Sequence, residues 1–241
     1  ADLKELNKRL QSDEKLKVSS ELKLFGSDFF DTFQTSFMPI NEPNPDSSYT
    51  LDTGDVLKIQ ILGQIDLIDT FIVSRDGTIN VPNIGKINVA GLQLTEASQL
   101  IKSRVSSALA GTDAFVNLDE IRDVNILVSG NTKKPGIYTL TGNSNILHAL
   151  TVAGGVNEFG SFREINLVRS GEIIETLDVY DILINGNYNL KKRLRSGDVV
   201  FVESRKSVIT IDGAVKRPAK YEVKENEFLD VVIRFANGIK A

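Results

Sequence analysis

The sequence predicts an α+β fold in which a small mixed domain precedes two tandem copies of a strand–turn–strand–helix unit, the second copy incomplete. Three observations carry this. Short β-branched runs bounded by turn residues begin at Tyr49; one amphipathic helical pattern interrupts them; and Val124–Val156 recurs as Ser207–Ile239 at a fixed offset of 83 residues. The organisation expected from these patterns is 1–46 as an N-terminal helical and aromatic segment with a Pro-rich linker, 47–123 as the mixed domain, 124–205 as the first repeat module and 206–241 as the start of a second.

Leu3, Leu6 and Leu10, spaced helically among Lys, Glu and Arg, predict a short amphipathic helix in the first 17 residues. Phe25, Phe29, Phe33 and Phe37 then fall at steps of four with Phe30 beside them. A stripe packed against the core is the favoured reading, and an exposed partner or membrane surface the alternative, because contiguous exposed apolar patches are uncommon. Pro39, Pro43 and Pro45, set among Asn and Asp, mark Met38 to Ser48 as linker.

In the mixed domain, Val56, Ile59 and Ile61 lie in one strand run. Phe71 to Ser74 and Thr78 to Val81 flank Arg75-Asp76-Gly77, an Asp-Gly hairpin signal that predicts two paired strands. Thr95 is the expected cap of a helix that carries Ala97, Leu100, Ile101, Val105, Ala108 and Leu109 on one face and stops at Gly111. Ala114 to Leu118 alternate as a further strand against which that helix packs.

Eight of 33 positions are identical between the two repeats, including Gly130/Gly213, Pro135/Pro218, Tyr138/Tyr221, Asn143/Asn226, Ala153/Ala236 and Gly155/Gly238. Composition alone would yield roughly two. Each copy reads as strand, Gly-to-Pro turn, strand ending in Tyr, and helix stopped by Gly, with glycine at positions that favour positive φ. The first copy continues through Ile165 to Arg169, a Gly171 turn, Ile173 to Leu177, a helix near Val179 to Ile184, and Leu194 to Val202. The second is expected to be cut within the module, which would expose Phe228, Leu229, Val232 and Ile233 unless a neighbour covers them. Leu-x-x-Gly-Asp-Val occurs twice, at Leu51–Val56 and Leu194–Val199. It reads as a turn whose Asp accepts neighbouring amides, with a catalytic pair as the less favoured alternative.

Charge and chemistry narrow the function. Net charge is −4, so no global positive field exists to hold nucleic acid, and any polyanion contact must be local. Without cysteine there are no disulfides, thiolate metal sites or thiol nucleophiles in these residues. The longest stretch free of ionisable carboxylates and amines, Pro135 to Asn157, contains four glycines and many hydroxyl and amide side chains, so it is not a spanning helix, and no apolar signal-peptide core is visible near Ala1. The single histidine, His148, is read as a packed or surface residue, since no Gly-x-Ser-x-Gly elbow offers it a serine. A glycosidase pair among Asp119, Glu120, Glu158 or Glu172 is the enzymatic alternative. Gly154-Gly155 with Gly160 lacks the Lys-Ser/Thr of a phosphate loop. Two basic pairs, Lys133-Lys134 and Lys216-Arg217, occupy equivalent repeat positions before proline. They read as solvated turns, or as contacts to an acidic polymer or partner; Lys191-Lys192-Arg193-Leu194-Arg195 forms a third basic cluster.

The order of several motifs resembles one family. Tyr49-x-Leu51-x-x-Gly54-Asp55-Val56, the Arg75-Asp76-Gly77-Thr78-Ile79 turn, Pro82 with Ile84-Gly85, and Val89-x-Gly91-Leu92-x-x-Thr95-Glu96-Ala97 resemble the export domain of bacterial outer-membrane polysaccharide export proteins. The two repeats resemble the soluble-ligand-binding β-grasp (SLBB) modules that follow it, and Phe25-Gly26-x-Asp28-x-Phe30 resembles a segment before it. The resemblance implies an α+β fold with a small mixed export domain followed by β-grasp-like modules, the second incomplete. It implies a non-enzymatic conduit and scaffold, periplasmic and associated with the outer membrane, that passes capsular or extracellular polysaccharide. Expected partners are the polysaccharide, an inner-membrane export component and further copies in a ring formed by the full-length protein, with no nucleic acid and no cofactor. Membrane contact is expected only through a lipidated N-terminal cysteine or a C-terminal segment, neither present in these residues. The alternative is a receptor module that grips a glycan or small ligand.

Overall fold

A computed structural model describes residues 22–31, 49–190 and 192–240. The expected helix in 1–17, Phe33, Phe37 and the linker at Met38 to Ser48 lie outside the described residues.

In the mixed unit, β1 (Val56–Leu62) alternates as a half-buried strand must, with Leu57, Ile59 and Ile61 inward. It is the centre of an antiparallel sheet between β2 (Leu67–Ile72) and β5 (Asp113–Glu120). Two short strands, β3 (Thr78–Val81) and β4 (Gly85–Asn88), form a separate hairpin. Helix α1 (Leu94–Ala108) buries Ala97, Ile101 and Val105 in the same core as Leu57, Ile59, Ile79 and Ile87.

Two local expectations are corrected here. The Asp-Gly turn exists, with Gly77 at φ +77°, its N–H on the Ser74 carbonyl and Ser74 N–H on Thr78 O at 2.8 Å, but beyond that one bond the flanking strands do not pair: β2 pairs with β1 and β3 with β4. The reason is Val73, whose N–H goes back to Asp55 O at 2.8 Å and ties that end of the run to the first motif instead. The cap of α1 is Gln93, two residues earlier than Thr95. Leu94 N–H is taken by Tyr49 O at 2.8 Å and Gln93 N–H by Glu96 Oε2 at 3.0 Å, so the helix is already under way at Thr95.

The repeat holds at the level of individual hydrogen bonds. In the first copy, β6 (Asp123–Gly130) pairs antiparallel with β7 (Gly136–Thr141), Ile126 facing Tyr138; in the second, β11 (Ser207–Ile211) pairs with β12 (Ala219–Val223), Ile209 facing Tyr221. The following helices are α2 (Ile146–Val152) and α4 (Leu229–Phe235). The bridge Thr132–Val156 recurs as Val215–Ile239, and the Tyr138 hydroxyl donating to Lys134 O recurs as Tyr221 to Arg217 O, each at 2.7 Å. Each Tyr sits in mid-strand rather than at the strand end that the sequence suggested, which is what lets its hydroxyl reach back across the turn.

The first copy completes itself with β8 (Gly160–Arg169), β9 (Glu172–Leu177), α3 (Val179–Asn185) and β10 (Val199–Ser204), giving a five-stranded sheet in the order β7-β6-β10-β8-β9. Strand β10 lies parallel to β6 and antiparallel to β8. The second copy docks its helix and β12 on this body. Tyr221, Val232 and Ala236 are fully buried in the same core as Leu167 and Tyr180, whereas Phe228 and Leu229 stay 77% and 64% exposed.

That junction is ionic as well as apolar. Arg163, buried, donates to Glu227 (Nη2 to Oε1 2.6 Å) and to Asp178 (Nε to Oδ2 3.2 Å), and its guanidinium lies 4.9 Å from the centre of the Tyr180 ring and 5.0 Å from that of Phe235. Glu222 accepts from the Ser161 hydroxyl and from Phe162 N–H at 2.9 Å, while its own N–H meets the Tyr180 hydroxyl. Burial pushes the Glu222 carboxyl above the ordinary glutamate value. Burial also opposes charge on Glu227, but hydrogen bonds from Arg163 and the Lys224 amide outweigh it and hold that carboxyl below.

Residues 22–31 lie across both copies. Phe25 N–H bonds Lys220 O at 2.8 Å, and the Phe25 ring stacks edge-on against Tyr180 and beside Tyr221. Phe30 rests on Gly155, where any Cβ would collide with the ring. Phe25, Phe29 and Phe30 thus pack against the core as the favoured reading expected, although through a series of turns and not a helix.

Candidate functional site

The two Leu-x-x-Gly-Asp-Val copies build the same device in different folds. Leu51 and Leu194 are fully buried anchors. The amide that follows each leucine donates to the motif aspartate, Asp52 N–H to Asp55 Oδ2 at 2.8 Å and Arg195 N–H to Asp198 Oδ2 at 2.7 Å. This is the turn role read from the sequence. The structure adds what one chain position cannot show, that each buried carboxylate also holds an arginine from elsewhere. Arg122, just after β5, donates its Nη1 to Asp55 Oδ2 and to the Tyr49 hydroxyl, both at 2.8 Å, and its own amide to Asp55 Oδ1 at 2.9 Å. Burial, then the charge of Asp55, raises the Tyr49 hydroxyl far above its ordinary pKa, so it stays a donor. Arg169, at the end of β8, grips Asp198 with two parallel bonds of 2.7 Å and donates to Arg193 O at 2.9 Å.

These two devices face one cleft of about 730 Å³ between the mixed unit and the first repeat. One wall is Tyr49 to Asp52 with Gly91; the other is Gly142, Asn143, Arg169, Asn189, Leu190 and Lys192 to Arg195; Arg122 belongs to both, since its carbonyl accepts Gly142 N–H at 2.8 Å. Arg193 is pinned by Nη1 to Asn143 O at 3.0 Å, and Leu194 N–H by Ser144 O at 2.8 Å, which fixes the loop. Once Arg122 and Arg169 are matched against Asp55 and Asp198, the cleft lining keeps Lys192, Arg193 and Arg195 against the carboxylate of Asp52, which lies 3.6 Å from Arg122, while behind the run Glu175 Oε1 accepts the Lys192 amide at 3.4 Å. The lining is locally cationic in a chain of net charge −4.

The basic pairs singled out in the sequence lie elsewhere. Lys133 is ion-paired with Asp31, and the Arg217 guanidinium lies 5.1 Å from the centre of the Phe25 ring, so in each copy one member fastens residues 22–31. Lys134 and Lys216 are exposed. All four belong to the Gly-to-Pro turns, where Lys133 and Lys216 amides bond Gly155 O and Gly238 O at 3.0 Å. His148 is half-buried and its Nδ1 receives the Asn145 N–H at 3.4 Å, completing the cap of α2. Asp119, Glu120, Glu158 and Glu172 do not line the cleft. Among the described residues, no group of three or more His, Cys, Asp or Glu forms a metal-binding cluster, and no helix is long and apolar enough to cross a membrane. The residues that sequence reading missed, Arg122 and Arg169, had one usable signal: an aspartate buried beside a fully apolar leucine requires a cation.

Comparisons with known proteins fall on the same two units. Residues 43–119 match the family model described as polysaccharide biosynthesis/export protein, and 126–176 match that of the SLBB domain. The polysialic acid transport protein KpsD of Escherichia coli is 27% identical over 206 residues, covering 85% of this chain and 36% of its own. The EPS I polysaccharide export outer membrane protein EpsA of Ralstonia nicotianae is 28% identical, covering 73% of this chain and 46% of its own. The capsule polysaccharide export outer membrane protein CtrA of Neisseria meningitidis is 28% identical, covering 71% and 48%. The chain therefore spans between about a third and a half of the length of these relatives.

Proposed function

Because this chain belongs to the polysaccharide export proteins in which an export domain is followed by SLBB modules, we propose that it is a periplasmic, non-enzymatic part of an outer-membrane channel for capsular or extracellular polysaccharide. The observation that carries this is the order of the two matched units along a chain whose relatives are named as transport and export proteins. In this reading 47–123 is the export domain, 124–205 the first SLBB module and 206–241 the start of the second. The physical design supports it. A conduit needs stiff modules and polar surfaces; here Arg122 joins export domain to first module, and Arg163, Asp178 and Glu227 lock the second repeat onto the first. Further copies of the protein and an inner-membrane export component are the proposed partners, the copies meeting through heterologous contacts that close into a ring.

Deleting the gene in its source organism tests this. The expected result is loss of polymer from the cell surface with polymer retained inside the envelope, restored by the full-length gene. Unchanged surface polymer after deletion would overturn it, and so would purified protein that depolymerises the polysaccharide.

A further inference from the structure

The cleft between the export domain and the first SLBB module has a chemistry that structural duty alone does not require. Arg122 and Arg169 are fully employed in holding Asp55 and Asp198. Lys192, Arg193 and Arg195 are not: among the described residues none of the three makes a side-chain ion pair, and Lys192 and Arg195 are exposed. Three cations lining one concave wall repel one another locally, and a concave wall of one charge sign concentrates counter-ions. An anion in the cleft would relieve that repulsion. The volume lies within the range of ligand sites, about 300–1,000 Å³. The lining is predominantly polar, with the exposed Asn189 and Thr50 offering amide and hydroxyl groups beside the cations. That combination suits a ring rich in hydroxyls that also bears an oxyanion.

We infer that this cleft binds an anionic sugar unit, its carboxylate or phosphate held by Arg193, Lys192 and Arg195 and its hydroxyls by the Asn189 and Thr50 side. One of the three cations is prearranged. Arg169 holds the Arg193 carbonyl and the Asn143 carbonyl holds its guanidinium, so Arg193 needs little ordering on binding, whereas the exposed Lys192 and Arg195 close onto the ligand. The ligand class rests on the export reading only for its origin, as a unit of the exported polymer; the recognition itself rests on the cleft.

The test is calorimetric titration of the purified chain with short oligogalacturonate, with glucose 1-phosphate, and with a neutral maltooligosaccharide of matched length. Saturable binding of one or both anionic probes is expected, weakened by salt, with the neutral sugar silent; which anionic probe binds distinguishes carboxylate from phosphate. Lys192→Gln/Arg195→Gln changes only exposed side chains and should weaken that binding about tenfold or more, since charge-assisted hydrogen bonds to the anion become neutral ones. Adding Arg193→Gln should remove it, while Lys134→Gln/Lys216→Gln should leave it unchanged. Failure of both anionic probes to bind, equal binding of the neutral sugar, or binding indifferent to the Lys192 and Arg195 substitutions would overturn the inference. None of these results bears on the deletion phenotype, which judges the export reading separately.

Discussion

The two repeats share a backbone and differ in what covers it. Strand register, the Tyr hydroxyl to carbonyl bond and the bridge that closes the turn are the same at an offset of 83 residues. Burial is not. Ile126, Ile146 and Val156 are 1%, 0% and 4% exposed, while their counterparts Ile209, Leu229 and Ile239 are 39%, 64% and 64% exposed. In the first repeat β10 lies along the free edge of β6, and β8 and α3 complete the same core; β11 pairs only with β12 among the described residues. The lesson is that the unit's own hydrogen bonds set its path, whereas the elements outside it set how much apolar surface leaves water.

Four measurements would break or sharpen this contrast. The largest effect is expected at the ionic lock between the repeats. Arg163→Ala strips Glu227 of its ion pair and leaves Asp178 to Lys224 Nζ at 2.9 Å, and should cost about 3–5 kcal/mol, with the second repeat melting apart from the first; a single unshifted transition in a denaturant titration would contradict it. Next, Ile146→Ala should cost about 2–5 kcal/mol but Leu229→Ala within about 0.5, because only the first side chain leaves a cavity. Equal losses would mean the second repeat is as covered as the first.

The equivalent turn glycines come third. Both have positive φ, +78° at Gly130 and +86° at Gly213, so alanine is strained at either. A Cβ on Gly130 would also strike the Val202 carbonyl of β10, while one on Gly213 meets nothing within 4 Å. Gly213→Ala should therefore cost about 1 kcal/mol and Gly130→Ala markedly more, by thermal melting.

The smallest effect is a pH dependence. Glu222, raised by burial, contributes stability fully present below the ordinary glutamate range and lost as pH rises through its elevated pKa. Glu227, held low by Arg163, contributes stability present above the ordinary range and lost as pH falls through its depressed pKa. Urea midpoints across acidic pH should thus lose their acid-side decline in Glu227→Gln and their opposing limb in Glu222→Gln. Profiles identical to the parent would show that the junction does not couple to either carboxyl.

Much of the fold was legible in the residues. The 83-residue offset located both repeats, and the apolar spacing of Ala97, Ile101 and Val105 located α1 with the face it buries. Local turn chemistry was legible too, but not its partners. The Asp-Gly turn at Asp76-Gly77 says that the chain reverses, and nothing local says that Val73 will bond Asp55 rather than β3. The cleft was half-visible: Lys192, Arg193 and Arg195 stood out as a basic run and the Asp55 and Asp198 motifs as a pair, without any sign that they face each other. Lys133, Lys134, Lys216 and Arg217 drew notice by their equivalence, and in the structure they sit on the repeat turns, away from the cleft.

What the amino-acid order decided alone was whatever closes within a few residues: the repeated strand and turn, the helix faces, the Asp-to-amide turns. Tertiary structure decided the rest, since a buried aspartate requires a cation without specifying which. Arg122 stands 67 positions from Asp55, and Arg169 stands 29 from Asp198. Such pairings depend on how whole sheets meet, and the cleft between them exists only once they have.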